Sequence, residues 1–131
     1  QSSKVQAVVD WFGPVDPVKI IPLQKNKKNN YSVYYDAAGQ LLGNKPLKDY
    51  TKSRISNINP LTYLDKNDPP FLIMHGNKDG VVPVNQSKLF VYSLKKTNIP
   101  VIYKEYPEEV HHLGKHKHFQ EVLKFLNKKL K

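Results

Sequence analysis

The chain has 131 residues, with 21 Lys and Arg against 11 Asp and Glu for a formal net charge of +10, and it contains no cysteine. That length suits one domain, and 39% hydrophobic residues are enough to bury a core, which excludes wholesale disorder. The absence of cysteine excludes disulfides, thiolate metal sites and a cysteine nucleophile, and no apolar run approaches the roughly 20 residues needed to cross a bilayer, so a soluble protein with no membrane contact is expected.

The first readable element is Val5-Gln6-Ala7-Val8-Val9-Asp10-Trp11-Phe12, a nearly continuous apolar run closed by Gly13-Pro14. It reads as a strand buried on both faces, as in a parallel sheet. From about Lys19 to Lys52 the pattern breaks up. A polar tip at Lys25 to Asn30 precedes an aromatic patch of Tyr31, Val33, Tyr34 and Tyr35, and the stretch reads as an insertion with a little helix. The double proline Pro69-Pro70 then introduces a second buried strand, Phe71-Leu72-Ile73-Met74-His75-Gly76. After a turn at Asn77 to Gly80, a helix begins near Asn85, with Leu89, Phe90 and Leu94 inward, and ends by Asn98. Pro100 introduces a third strand, Val101 to Tyr106. The last segment spaces Phe119, Val122, Leu123, Leu126 and Leu130 along one face of an amphipathic helix. Strands alternating with helices predict an α/β fold of about three parallel strands with flanking helices.

The charge does not point to a nucleic-acid reader. Arg54 is the only arginine, and the lysines spread along the whole chain, whereas base and phosphate recognition leans on the planar guanidinium. No specific nucleic acid is expected, and any such binding would be nonspecific and steeply salt-dependent.

In open parallel sheets ligands bind beyond the carboxyl ends of the strands. Two residues stand out there, Asp79 after the second strand and His111 after the third. An acid and a histidine on neighbouring loops can activate a hydroxyl: the carboxylate accepts the Nδ1 hydrogen, leaving Nε2 to take a proton. Other readings of the chain compete. His75 reads as a packed histidine bonded to local backbone. His111, His112, His116 and His118 could bind a divalent metal. Trp11 and Phe12 could line an acyl pocket or pack in the core, and the Tyr31 to Tyr35 patch could form a lid or a satellite cluster. Asp10, Asp16, Asp65 and Asp68 read as turn or capping acids.

The run from Phe71 to Ser87 resembles the acid-bearing segment of α/β-hydrolase esterases, with its HG-x-x-D-x-x-V-P-x-x-Q-S pattern. Val8 to Pro14 and Pro60 to Tyr63 also resemble segments of that family, especially acetyl and feruloyl esterases acting on plant polysaccharides. The resemblance spans nearly the whole chain, residues 1-131, apart from the insertion at about 19-52. It implies that Asp79 is the triad acid and His111 the triad histidine. Relatives carry that histidine between glycines, where this chain has Val110-His111-His112-Leu113, which leaves His112 as the alternative base.

The resemblance also implies a nucleophile on a G-x-S-x-G elbow before the acid and the histidine. No G-x-S-x-G occurs in the chain. The chain therefore resembles the C-terminal half of the hydrolase domain, with the serine and the oxyanion-hole donors upstream. The expected function is that of a C-terminal fragment of a serine hydrolase cleaving carboxylic esters, with acyl groups on carbohydrate as substrate and no metal or organic cofactor. The fragment by itself is expected to be inactive. A prolyl-peptidase-like hydrolase and a noncatalytic hydrolase-like interaction module are the alternatives. The expected partners are a small-molecule or carbohydrate ester, and either the missing N-terminal half or a second copy paired through an open sheet edge.

Overall fold

A computed structural model describes residues 4–20 and 32–130, without the side chains of 20 and 32–36. Three strands, β1 (Val8–Trp11), β2 (Phe71–Gly76) and β3 (Val101–Tyr106), form one sheet in the order β1-β2-β3. Both pairings are parallel, with Val8 opposite Phe71 and Phe71 opposite Val101. The predicted α/β architecture is therefore present. The helices are α1 (Pro17–Ile20), α2 (Ser32–Gly43), α3 (Lys52–Ser56), α4 (Asn85–Lys96) and α5 (His116–Lys129), with short 3₁₀ turns at Leu47–Asp49 and Pro60–Tyr63. Among the described residues no helix is long and apolar enough to cross a membrane.

Successive residues of a strand point to opposite faces, and β2 shows why its run is apolar from Phe71 to Met74: all six of its residues are buried, with His75 the polar one. Phe71 and Ile73 pack with Phe90, Val91 and Leu94 of α4, with Phe71 and Phe90 meeting edge to face at 5.3 Å. Leu72 and Met74 pack on the other face with Tyr106, Leu113 and Phe125 of α5. A strand covered on both faces has no polar side to show, so its sequence does not alternate. Asn98 ends the turn after α4 in the left-handed region at φ 61, and the Ile99 N–H donates to the Leu94 carbonyl at 2.9 Å. This is the C-terminal cap that an asparagine tolerates.

Two expectations are corrected. The first apolar run forms a shorter strand than Val5 to Phe12, and its four residues are each only partly buried. β1 has a paired neighbour on one side, so among the described residues its outer backbone edge is open. On α5, Val122 and Leu126 pack against the core, but the expected face is split: Phe119, Leu123 and Leu130 are exposed, while His118 and Phe125 are buried. The apolar stripe of α5 is wider than the three strands cover.

Between β1 and β2 the chain builds a cluster of its own, with Ala38, Leu42, Leu47 and Ile55 buried together apart from both faces of the sheet. Its helix α2, of twelve residues, is longer than the little helix expected there. The polar tip at Lys25 to Asn30 and Tyr31 lie outside the described residues, as do the side chains of Val33, Tyr34 and Tyr35, and with them the lid reading.

Because all strands run the same way, their carboxyl ends emerge together. The loop after β2 and the loop after β3 are also tied directly. Asn77 N–H donates to the Tyr106 carbonyl at 3.0 Å, Lys78 N–H to the Glu109 carbonyl at 3.0 Å, and Glu108 N–H to Asn77 Oδ1 at 2.9 Å. Lys78 and Glu108 add an exposed ion pair. Gly76 is where the two loops pass closest, since a Cβ there would collide with the Glu109 carbonyl. Gly76→Ala is therefore expected to cost about 1–3 kcal/mol through overpacking, read as a lower urea midpoint with an unchanged slope.

Candidate active site

Asp79 lies three residues beyond β2, in a turn built on its own side chain. Its Oδ1 accepts from the backbone N–H groups of Val81 and Val82, both at 2.8 Å, the local bonding that makes aspartate a turn former. Its Oδ2 faces two imidazoles: His111 Nδ1 at 2.7 Å and His75 Nε2 at 3.1 Å. The carboxylate is buried and its acceptor sites are filled. Burial pushes its pKa up, but the bonds from His75, Val82, His111 and Val81 more than reverse this and hold it below the ordinary aspartate range.

His75, fully buried at the end of β2, is held at both ring nitrogens. Nδ1 lies 2.7 Å from Ser87 Oγ, and Nε2 lies 3.0 Å from the Val82 carbonyl as well as beside Asp79. Since Nε2 faces two oxygen acceptors, it carries a hydrogen. The expected bond to local backbone is thus present, but His75 also supports Asp79 from behind. Gln86, next to Ser87 at the start of α4, accepts from Val15 N–H at 3.0 Å and Asp16 N–H at 2.7 Å. The long pattern from His75 to Ser87 therefore has a local physical basis: a histidine and a serine brace the acid, a glycine admits the neighbouring loop, and a glutamine holds the segment after β1.

His111 follows β3 in the loop that Glu109 and Leu113 anchor. Glu109 accepts from Lys115 Nζ at 2.6 Å, and Leu113 is buried against Leu72 and Met74. With Nδ1 on a carboxylate, His111 has its hydrogen there, and its side chain is one-third exposed. Among the described residues nothing hydrogen-bonds its Nε2, which leaves that atom free as a base. His111 and His112 are placed differently. His112 is exposed and its ring lies against Gly114, while His111 reaches Asp79. Val110 and His112 both point outward, so bulky residues are accommodated where relatives carry glycines.

The remaining candidates separate. Trp11 packs on the α5 side of the sheet, its Nε1 3.2 Å from Met74 Sδ and its ring edge-on to Phe119 at 5.4 Å. Phe12 packs against the same core cluster, and its ring centroid lies 4.2 Å from that of His111. Asp10 holds the Gly13 N–H at 2.9 Å, Asp16 caps the first turn of α1, and Asp65 and Asp68 bond within their own loop. His116 is exposed and bonds Gln120, whereas His118 is buried and accepts from the Lys115 N–H. Among the described residues no three His, Asp or Glu side chains are grouped as a metal site. The roles of Ser87 and Phe12 were not read from the sequence. The serine was visible as the last letter of the HG-x-x-D pattern, but the ring contact of Phe12 has no sequence signal.

A parallel sheet with an aspartate and a histidine paired on adjacent strand-end loops is the arrangement an α/β-hydrolase presents. Residues 1–94, which include Asp79, match the family model BD-FAE, and the chain belongs to that family. The chain is 39% identical over 110 residues to a probable carboxylic ester hydrolase, LipM, of Mycobacterium tuberculosis (strain ATCC 25618 / H37Rv), covering 83% of this chain and 24% of that protein. A truncated carbohydrate esterase from gut microbiota has a similar structure, with a TM-score of 0.79 and 30% identity over 97% of this chain and 43% of that one. A bifunctional GH43-CE protein of Bacteroides eggerthii gives 0.77 and 30%, over 98% of this chain and 17% of its own. The chain thus spans about a quarter of the length of that curated relative and under half of either structure.

An acid whose pKa is lowered on folding contributes stability that is complete above its unfolded value, about 3.9, and is lost as pH falls through the folded one. The stability difference between the wild type and Asp79→Asn should therefore be largest near neutral pH. It should narrow progressively below about pH 4, in urea titrations run across that range.

Proposed function

We propose that this chain is the acid-and-histidine half of a serine hydrolase that cleaves carboxylic esters, with acyl groups on carbohydrate as the substrate class. The observation that carries the reading is the 2.7 Å bond from His111 Nδ1 to Asp79 Oδ2 at the carboxyl ends of adjacent parallel strands, with Nε2 open. The names of the family's relatives support ester hydrolysis, and the carbohydrate esterase neighbour supports the substrate class. An acylaminoacyl peptidase shares the fold at 23% identity, which carries no argument about substrate.

In this reading a serine from a preceding segment attacks the ester carbonyl carbon while His111 Nε2 takes the hydroxyl proton. The imidazolium that forms faces Asp79, whose ionised state is protected by its four hydrogen bonds. The ester C–O bond then breaks, and His111 returns the proton to the leaving alcohol, leaving an acyl-serine. A water attacks that acyl group by the same proton path and releases the acid. The chain supplies the proton path. The nucleophile and the oxyanion donors come from the segment that docks on the open edge of β1.

In the complete polypeptide that includes the serine, assayed on acetylated sugar and on a simple aryl acetate, His111→Ala should lower kcat by about 10⁶ and Asp79→Asn by about 10⁴, with little change in KM. Full activity in either variant would overturn the reading. The 131-residue chain by itself should release no alcohol from the same esters.

The uncovered side of the sheet gives this reading a second, independent check. The open edge of β1, Trp11 and the exposed Phe119 and Leu123 lie on the side where a further strand and helix would pack. Size-exclusion chromatography of the 131-residue chain should show concentration-dependent association, since an unpaired apolar edge recruits another chain. A monomer at every concentration would show that the sheet is self-sufficient.

A further inference from the structure

Three costs meet in one turn after β1. Phe12 has φ 47, in the left-handed region that bulky side chains avoid. At Gly13 a Cβ would displace the Asp10 carboxylate from its bond to the Gly13 N–H. Asp10 is largely buried, and its Oδ2 has no hydrogen-bond partner. The turn is nonetheless pinned at both ends, by Phe12 N–H donating to the Met74 carbonyl at 2.9 Å and by Gly13 N–H donating to Asp10 Oδ1 at 2.9 Å. Backbone strain persists only where the surroundings enforce it, and it concentrates at functional sites. Here its visible product is the placement of one ring: Phe12 lies 4.2 Å from His111, with the planes tilted by 48°, and 6.3 Å from His75, nearly perpendicular at 80°.

We propose that Phe12 is a positioning residue for His111, its ring packed at a tilt against the imidazole so that Nε2 keeps a single aim and water is kept from the Asp79–His111 hydrogen bond. The inference rests on the reading of His111 as the base. Asp79 grips the imidazole only at Nδ1, within the plane of the ring. A single in-plane bond leaves the ring free to tilt about that contact, and His111 is one-third exposed on a loop. An apolar ring in contact with the imidazole, tilted by 48°, limits that freedom and excludes solvent that would compete for Nδ1–H. Asp10 and Gly13 then act at one remove, by holding the turn that aims Phe12.

The test reads the hydrogen bond itself by proton NMR on the complete polypeptide that includes the preceding segment, as the rate at which the His111 Nδ1 proton exchanges with water. Wild type and Phe12→Tyr, which keeps the ring, should give a protected proton. Phe12→Leu and Phe12→Gly should exchange at least about tenfold faster, since both remove the ring from the imidazole. The leucine variant separates positioning from packing: it keeps an apolar side chain against the cluster of Leu72, Met74 and Leu113 while removing the ring, so its exchange should rise with less loss of thermal stability than in the glycine variant. Equal exchange in wild type, Phe12→Leu and Phe12→Gly would overturn the proposal, as would an unprotected proton in the wild type. Should Phe12→Gly fail to fold, Phe12→Leu against Phe12→Tyr decides. Because the signal requires no turnover, loss of the esterase reading would leave this result standing and distinguishable.

Discussion

Asp79 is the residue on which the rest of this site depends. A carboxylate buried in a small sheet protein is stable only when its lone pairs are met, and here two backbone N–H groups and two imidazoles meet them. Each partner imposes a requirement of its own. The Val81 and Val82 amides demand a tight turn directly after β2. His75 demands Ser87, which places the start of α4 against the end of the strand. His111 demands that the loop after β3 fold back toward the loop after β2. Satisfying one charge thus organises three segments of the chain.

The parallel sheet makes these requirements compatible. Parallel strands deliver their carboxyl ends to one side, so residues 32 positions apart, Asp79 and His111, become neighbours without any long-range device. The backbone bonds between the loops then set their relative height: Lys78 on Glu109, Asn77 on Tyr106, Glu108 on Asn77. Gly76 lets the loops approach, and Leu113 fastens the far side of the histidine loop to the core. Phe12 adds a contribution from the third strand end. The site is therefore built from all three strands, and each loop is held by contacts other than the ones its functional residue makes.

Among the described residues β1 and β3 are both edge strands, and the edge of β1 has a functional meaning. Its free backbone lies beside the partly buried Trp11, which meets the exposed Phe119 of α5. An edge of this kind is a pairing surface. In the proposed function it is where the nucleophile-bearing segment packs, which brings the serine toward the same strand ends that carry Phe12 and His111. The apolar width of α5 beyond the present sheet is consistent with that arrangement. Helix α5 presents a stripe suited to covering more strand than these three supply.

Much of this was legible in the amino-acid sequence. A nearly continuous apolar run marks β2, since a strand buried on both faces has no solvent side to show, whereas β3 carries Lys104 and Glu105 and is marked by Pro100 and Pro107 at its ends. The HG-x-x-D pattern located Asp79, because a carboxylate turn after a buried strand needs a glycine and small spacing that leave a local trace. What the sequence left open follows from contacts that have no local trace. His111 and His112 are adjacent and chemically identical, and only the loop's path, set by Leu113 and the clamp on Glu109, turns one inward and the other to solvent. Periodicity counted Phe119, Leu123 and Leu130 as core, but periodicity reports which face of a helix is apolar, and the number of strands beneath it decides how much of that face is covered. The placement of the Phe12 ring depends on a backbone conformation its residue type disfavours. Hydrophobic patterning and turn signals determined most of the elements, and the resemblance of the run around Asp79 singled out the acid. Tertiary packing decided which histidine the acid meets and what holds that histidine still.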